Sequence, residues 1–257
     1  MPDPENDLAP EMVLIPEGPF LMGSEDGLDN EKPVHRVWVD SFMMGKIPVT
    51  NGDYRIFLQE THAQEPPFLL EKMFSHPDKP VVGVSWHDAS AYCHWLSQNT
   101  GKQFRLPTEA EWERAARGGM EGKKYPWGDE PPSERPYLGY DLETGGPEQV
   151  GRNEPTGFGL YDMSEGVHEW CSDFYDPNYY QISPERNPLG PPCGQRKVSR
   201  GGSWRHRIKF SRCTARSSLN PAFKYADYGF RLAMSLEHRT PIQVNSDTGH
   251  PAGDGPT

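Results

Sequence analysis

Apolar residues fall in short runs whose spacing changes along the chain, and each spacing predicts an element. Met12-Val13-Leu14-Ile15-Pro16 and Phe20-Leu21-Met22-Gly23 flank Glu17-Gly18-Pro19, the pattern of a hairpin. His35 to Val39 alternates as a strand toward Phe42. Thr50 stands as a cap before Tyr54, Phe57 and Leu58, which share one helix face at i, i+3, i+4. Val81-Val82-Gly83-Val84 leads into Ser85-Trp86-His87-Asp88, a cap signal for a helix burying Ala91, Tyr92, Trp95 and Leu96. Thr108-Glu109-Ala110-Glu111 is a capping box for a third helix that runs through Trp112, Ala115 and Ala116 and stops at Gly118-Gly119. Turn chemistry dominates from Tyr125 to Asp162. Phe158 to Met163 and Val167 to Cys171 form a second apolar block, and Tyr228 to Met234 reads as a final strand.

Between Ser199 and Arg216 the pattern becomes distinctive. Trp204, His206, Ile208 and Phe210 alternate with Arg205, Arg207, Lys209 and Ser211, predicting a half-buried strand with a basic outer face. Gly201-Gly202 just before it allows close backbone approach and leaves Ser203 and Trp204 where a groove can open. The same pattern also fits an edge strand whose arginines are simply solvated. Neither internal repeat nor linker divides residues 11–235, which are expected to form one domain between a polar leader, 1–10, and a polar tail, 236–257, expected to be disordered.

Composition changes this picture in two ways. With 26 Gly and 27 Pro among 257 residues, regular elements are cut short, and the aromatics must carry much of the core. The net charge of −11 argues against nucleic acid or an anionic membrane as partner. Yet residues 1–31 hold nine acids and no Lys or Arg, whereas residues 187–226 hold no acid. A local basic site suits a peptide, a protein or a small acidic molecule. The N-terminus lacks signal-peptide features and no run is long enough for a membrane span, so a cytoplasmic location is expected. Cys93, Cys171, Cys193 and Cys213 lie far apart without a Cys-x-x-Cys and read as free thiols.

Candidate chemistry is sparse. No His pair has zincin spacing, and His87 and His94 are two turns apart on one helix, which suits structural roles. His168, Glu169 and His206 are the residues from which an iron site of two histidines and a carboxylate would be built. Asp162, Glu165 and Glu169 cluster as oxygen ligands for calcium, and equally as solvated acids. Cys213 sits among cations that would lower a thiol pKa, but the alternation that carries Phe210 inward buries it as well.

Taken in order, the motifs resemble a known family. They are Met12 to Pro16 with Phe20-x-Met22-Gly23-Ser24, Pro48-Val49-Thr50-Asn51, Val84-Ser85-Trp86-x-Asp88-Ala89 and Arg105-Leu106-Pro107-Thr108-Glu109-Ala110-Glu111-Trp112-Glu113. Tyr125-Pro126-Trp127-Gly128, Gly157 to Met163, Glu169-Trp170, Arg200-Gly201-Gly202-Ser203-Trp204 and Gly229-Phe230-Arg231 follow. This order is similar to that of the formylglycine-generating enzyme, or sulfatase-modifying factor, family over about residues 11–235. The resemblance implies an α+β, irregular C-type-lectin-like fold with little regular structure and core helices at about 86–99 and 108–117.

The resemblance also implies chemistry. In the family's oxidase, two cysteines after Gly-Gly-Ser bind copper and use oxygen to convert a sulfatase cysteine to formylglycine. Here Trp204 to Arg212 contains no cysteine, so copper and the oxidase reaction are not expected. Cys213 resembles a structural cysteine of the family. Of the implied calcium ligands Glu169 is retained, while Glu165-Gly166 stands where relatives have Gly-Asn. Two functions remain open: a groove at Ser203, Trp204, Arg205, His206 and Arg216 that binds a peptide or small acidic ligand, or an iron-dependent oxidase or oxygenase using His168 and His206.

Overall fold

The computed structural model describes residues 8–130, 140–141, 143–164, 166–205 and 210–236. Its first strand, β1 (Met12–Ile15), pairs antiparallel with β4 (Phe42–Gly45), while β2 (Gly18–Met22) pairs with β3 (His35–Val39). The expected hairpin therefore does not form. The corner between β1 and β2 is instead filled by Arg114, whose Nε and Nη2 donate to the Pro16 carbonyl and whose Nη1 donates to that of Pro19.

Three helices follow, each started by a reciprocal capping box. In α1 (Asn51–Thr61) Thr50 pairs with Asp53, in α2 (Trp86–Thr100) Ser85 pairs with Asp88, and in α3 (Glu109–Arg117) Thr108 pairs with Glu111. Gly101 and Gly118, both at positive φ, close the second and third. On α2 the buried stripe is Ala89, Tyr92, Cys93, Trp95 and Leu96; Ala91 lies on the opposite, exposed face, contrary to expectation. Tyr92 and Trp95 join Tyr54, Phe57 and Phe230 in one aromatic cluster.

Two four-stranded sheets complete the frame. In one, β1, β4, β10 (Ala233–Ser235) and β5 (Phe104–Arg105) lie in that order. The other has the order β8 (Ser217–Leu219), β7 (Lys197–Arg200), β6 (His168–Phe174) and β9 (Tyr228–Gly229), with β9 parallel to β6. The single final strand expected over 228–234 is thus split, because Phe230 to Leu232 turns inward between β9 and β10.

All nine residues of α3 are buried despite its charged sequence. Arg200 donates Nη1 to Glu109 Oε1 at 3.0 Å and Nη2 to Glu113 Oε2 at 2.5 Å. Arg216 binds Glu109 through Nε and Nη2, Arg117 binds Glu113, and Arg212 binds Glu31. Burial alone would raise the Glu113 carboxyl, but Arg117 and Arg200 outweigh it and hold it below its ordinary value. Helix α3 is consequently bolted to β7 and to the segment after it by ion pairs as much as by apolar packing.

Candidate functional site

The candidate groove begins where β7 ends. Gly201 and Gly202 follow Arg200 at φ +96° and +69°, and a Cβ on Gly202 would stand 2.9 Å from the Phe210 carbonyl oxygen. These glycines end the strand and fold the chain back on itself. Trp204 and Arg205 therefore lie in a turn and not in the alternating strand expected from 204 onward. Residues 206–209, with His206, fall outside the described residues.

The segment after the glycines delivers two side chains to one acid. Ser203 Oγ donates to Asp227 Oδ2 at 3.2 Å, and Arg205 Nη2 meets Asp227 Oδ1 at 2.6 Å. Asp227 is 1% exposed and the Arg205 side chain 44%, so the acid is an internal anchor and the guanidinium is the group offered outward. Trp204 is fixed at both ends, its backbone N–H donating to Gly166 O and its indole Nε1 to Ala226 O. Its ring lies 5.9 Å from that of Tyr140 at an interplanar angle of 29°, and 6.0 Å from that of Phe74. His168, at the start of β6, is buried beside this group: its backbone N–H donates to Asp227 O, and its ring packs 4.8 Å from Tyr228.

Arg216 does not join them. It is buried, doubly bonded to Glu109, and stacked 4.1 Å over Tyr180, which makes it part of the α3 framework. Apart from Arg205, the cations in and just before this stretch do not form a basic outer face among the described residues. Lys197 is buried with its Nζ 3.6 Å from the Phe174 ring centroid, Arg200 lies in the core, and Arg212 is paired with Glu31. The acids that pair with Arg200 and Arg212 lie far away in sequence, which is why the stretch reads as surface when taken alone.

Asp162 and Glu169 meet around Arg231. Glu169 Oε2 accepts from Trp112 Nε1 at 2.6 Å and from Arg231 Nε at 2.7 Å, while Oε1 accepts from Arg231 Nη2 at 2.8 Å. Asp162 takes Gly151 N–H on Oδ2 and Asn153 Nδ2 on Oδ1, and burial pushes its carboxyl up. A calcium ion at Glu169 would have to displace the guanidinium that occupies the carboxylate. Glu165 lies outside the described residues.

Cys93, Cys171 and Cys213 are buried, and desolvation pushes the Cys93 and Cys213 thiols up to about 12 and raises that of Cys171. Cys193 alone is exposed. Asp227 and Tyr140 are the site residues that sequence reasoning missed. The signal for Asp227 was present: it is the first acid after the acid-free run 187–226 and the natural counter-charge for a nearby arginine.

Comparison with known proteins places this geometry in a family. The model of the sulfatase-modifying factor enzyme 1-like domain matches residues 1–236. The formylglycine-generating enzyme of Streptomyces coelicolor is 34% identical over 283 residues, covering 86% of this chain and 88% of that enzyme. A protein named serine/threonine-protein kinase pkn1, from Chlamydia pneumoniae, is 36% identical over 246 residues; the match covers 88% of this chain but 38% of that protein's length. Among solved structures, PvdO from Pseudomonas aeruginosa matches with a TM-score of 0.78 at 29% identity, covering 90% of this chain and 97% of that one. The irregular α+β fold and the ordered motifs have one origin: the chain belongs to the sulfatase-modifying factor enzyme 1-like family.

Proposed function

We propose that the groove at Ser203, Trp204 and Arg205 binds a peptide or small acidic ligand. The observation that carries this reading is the pairing of half-exposed Arg205 with fully buried Asp227. Asp227 holds the guanidinium in place, so a ligand carboxylate meets a preorganised donor and does not bear the cost of ordering a free side chain. Trp204, fixed at backbone and indole, supplies a rigid apolar surface beside that donor. Family membership supports a groove in this place, and the resemblance to peptide-modifying relatives favours a peptide.

Thiolate copper chemistry is not part of this proposal, because three of the four thiols are buried and none lies between Trp204 and Arg212. A second reading, an iron-dependent oxidase or oxygenase, draws on His168 lying next to Asp227, with His206 as its other candidate ligand. Glu169 leaves that ligand set, since both of its oxygens are bound to Arg231.

Panning a phage-displayed random heptapeptide library against the wild type and Arg205→Ala tests the first reading. Enrichment of Asp- or Glu-bearing peptides on the wild type alone is expected; enrichment of the same peptides on both proteins would overturn it. Metal analysis of protein purified without chelators tests the second, for which stoichiometric iron lost on His168→Ala is required.

A further inference from the structure

Tyr140 reaches Trp204 from a turn in which it also bridges to Pro147. That turn is organised internally. Asp141 Oδ1 accepts the backbone N–H groups of Glu143 and Thr144, Asp141 N–H donates to Gly146 O, and Gly145 N–H donates to Asp141 O. A Cβ on Gly146 would stand 2.6 Å from Met73 Cγ, so the turn is pressed against the loop that contains Met73, Phe74 and Lys79.

Lys79 joins the two. It is 2% exposed, and its Nζ reaches Met73 O at 2.8 Å on its own loop, and Asp141 Oδ2 at 2.8 Å, Thr144 Oγ1 at 2.7 Å and Gly145 O at 3.2 Å on the turn. Burial would raise the Asp141 carboxyl, but the bonds from Lys79 and Thr144 prevail and hold it well below the usual range. The loop itself is tied to the first turn of α1. Asn51, 1% exposed, donates Nδ2 to Phe74 O at 2.6 Å and to His76 O at 2.9 Å, and its backbone N–H donates to Lys79 O. A continuous set of contacts thus runs from α1 through buried Lys79 and partly buried Asp141 to the exposed Tyr140. Phe74, on the anchored loop, and Tyr140, on the turn, both pack on Trp204.

We infer that Lys79 is a positioning residue for the groove, setting the aromatic surface by clamping the Tyr140 turn against the Phe74 loop so that both rings pack on the Trp204 indole. The inference rests on Trp204 being a wall of the binding groove. A buried lysine paired with one acid and three uncharged oxygens is an expensive arrangement if loop stability is its whole purpose. An apolar residue packed against Met73 would serve that purpose as well.

The test is fluorine NMR of protein labelled with 5-fluorotryptophan, with Trp204→Phe assigning the Trp204 resonance. Lys79→Met is expected to shift that resonance in the same direction as Tyr140→Ala, and in the double variant the Lys79 change should add little, because the ring it positions is gone while Asn51 still holds the Phe74 loop. Additive shifts, or an unmoved Trp204 resonance in Lys79→Met, would overturn the inference. Should Lys79→Met fail to fold, Asp141→Asn keeps the shape and removes the charge, and the same shift is expected. A peptide selected on the wild type should then bind Lys79→Met about 2- to 30-fold more weakly. If no peptide binds the wild type, the groove reading fails while the fluorine result still decides the role of Lys79.

Discussion

Replacing Asp173 by Asn should make the protein more stable, and only above about pH 4, the region where an ordinary carboxyl ionises. Asp173 lies on β6, fully buried. Desolvation is the larger reason its carboxyl is pushed up to about 7, and repulsion from Glu109 adds to it. The charged groups facing it are Glu109 and Glu111 on α3, Arg105 on β5 and Lys197 on β7; the Glu109 backbone N–H and the Ser172 hydroxyl donate to its Oδ2. Because the folded value is raised above the ordinary 3.8 of an aspartate, the unfolded chain releases this proton first as pH rises. Stability is therefore complete below about pH 4 and declines up to about pH 7, with a slope approaching 1.4 kcal/mol per pH unit. The rise from 3.8 to about 7 corresponds to at most about 4 kcal/mol, and relaxation around the charge reduces it, so the expected gain for Asp173→Asn at pH 8 is about 2–4 kcal/mol. At about 2–4 °C per kcal/mol, that is a rise in Tm of roughly 5–15 °C. Urea unfolding of both proteins from pH 4 to pH 8 measures it. Parallel stability profiles, or an Asn variant less stable at pH 8, would refute the assignment of a neutral buried acid.

Arg200→Met removes the guanidinium shared by Glu109 and Glu113, a type of change that costs about 3–5 kcal/mol. The lower end is expected in chemical unfolding, because Arg216 and Arg117 still hold those acids; a loss under about 1 kcal/mol would mean that the network does not bind α3 to β7. Under native conditions a thiol reagent should modify Cys193 rapidly and Cys93, Cys171 and Cys213 only on unfolding, and fast reaction of more than one thiol would contradict the buried assignment. Adding calcium, or a chelator, should leave Tm unchanged because Arg231 already occupies Glu169. A calcium-dependent rise that disappears in Glu169→Gln would show that the ion displaces the arginine.

Local signals carried well from sequence to structure. The capping pairs Thr50 with Asp53, Ser85 with Asp88 and Thr108 with Glu111 each lie within one turn, and all three helices start where those pairs place them. Signals that depend on a distant partner did not carry. The hairpin at Gly18 failed because β1 and β2 find β4 and β3, and Arg114, about a hundred residues away, fills the corner between them. The arginines after Ser199 looked solvated because their acids, Glu31, Glu109 and Glu113, lie 87 to 181 positions earlier. The break in the chain before Ser203 and Trp204 was legible from the Gly-Gly pair, both glycines of which adopt positive φ. Tyr140 was not legible, since nothing in its immediate neighbours shows that it meets Trp204, and Asp227 was signalled only as the first acid after a long acid-free run.

The central claim is that Arg205, held by Asp227, is the group a ligand binds. Calorimetric titration of an acid-bearing peptide selected on the wild type, into the wild type and into Arg205→Ala, tests this most directly. A charge-assisted hydrogen bond is worth about 1.5–3 kcal/mol, so the variant should bind roughly 10- to 150-fold more weakly. Equal affinity for the two proteins would contradict the claim and place the ligand elsewhere on the fold.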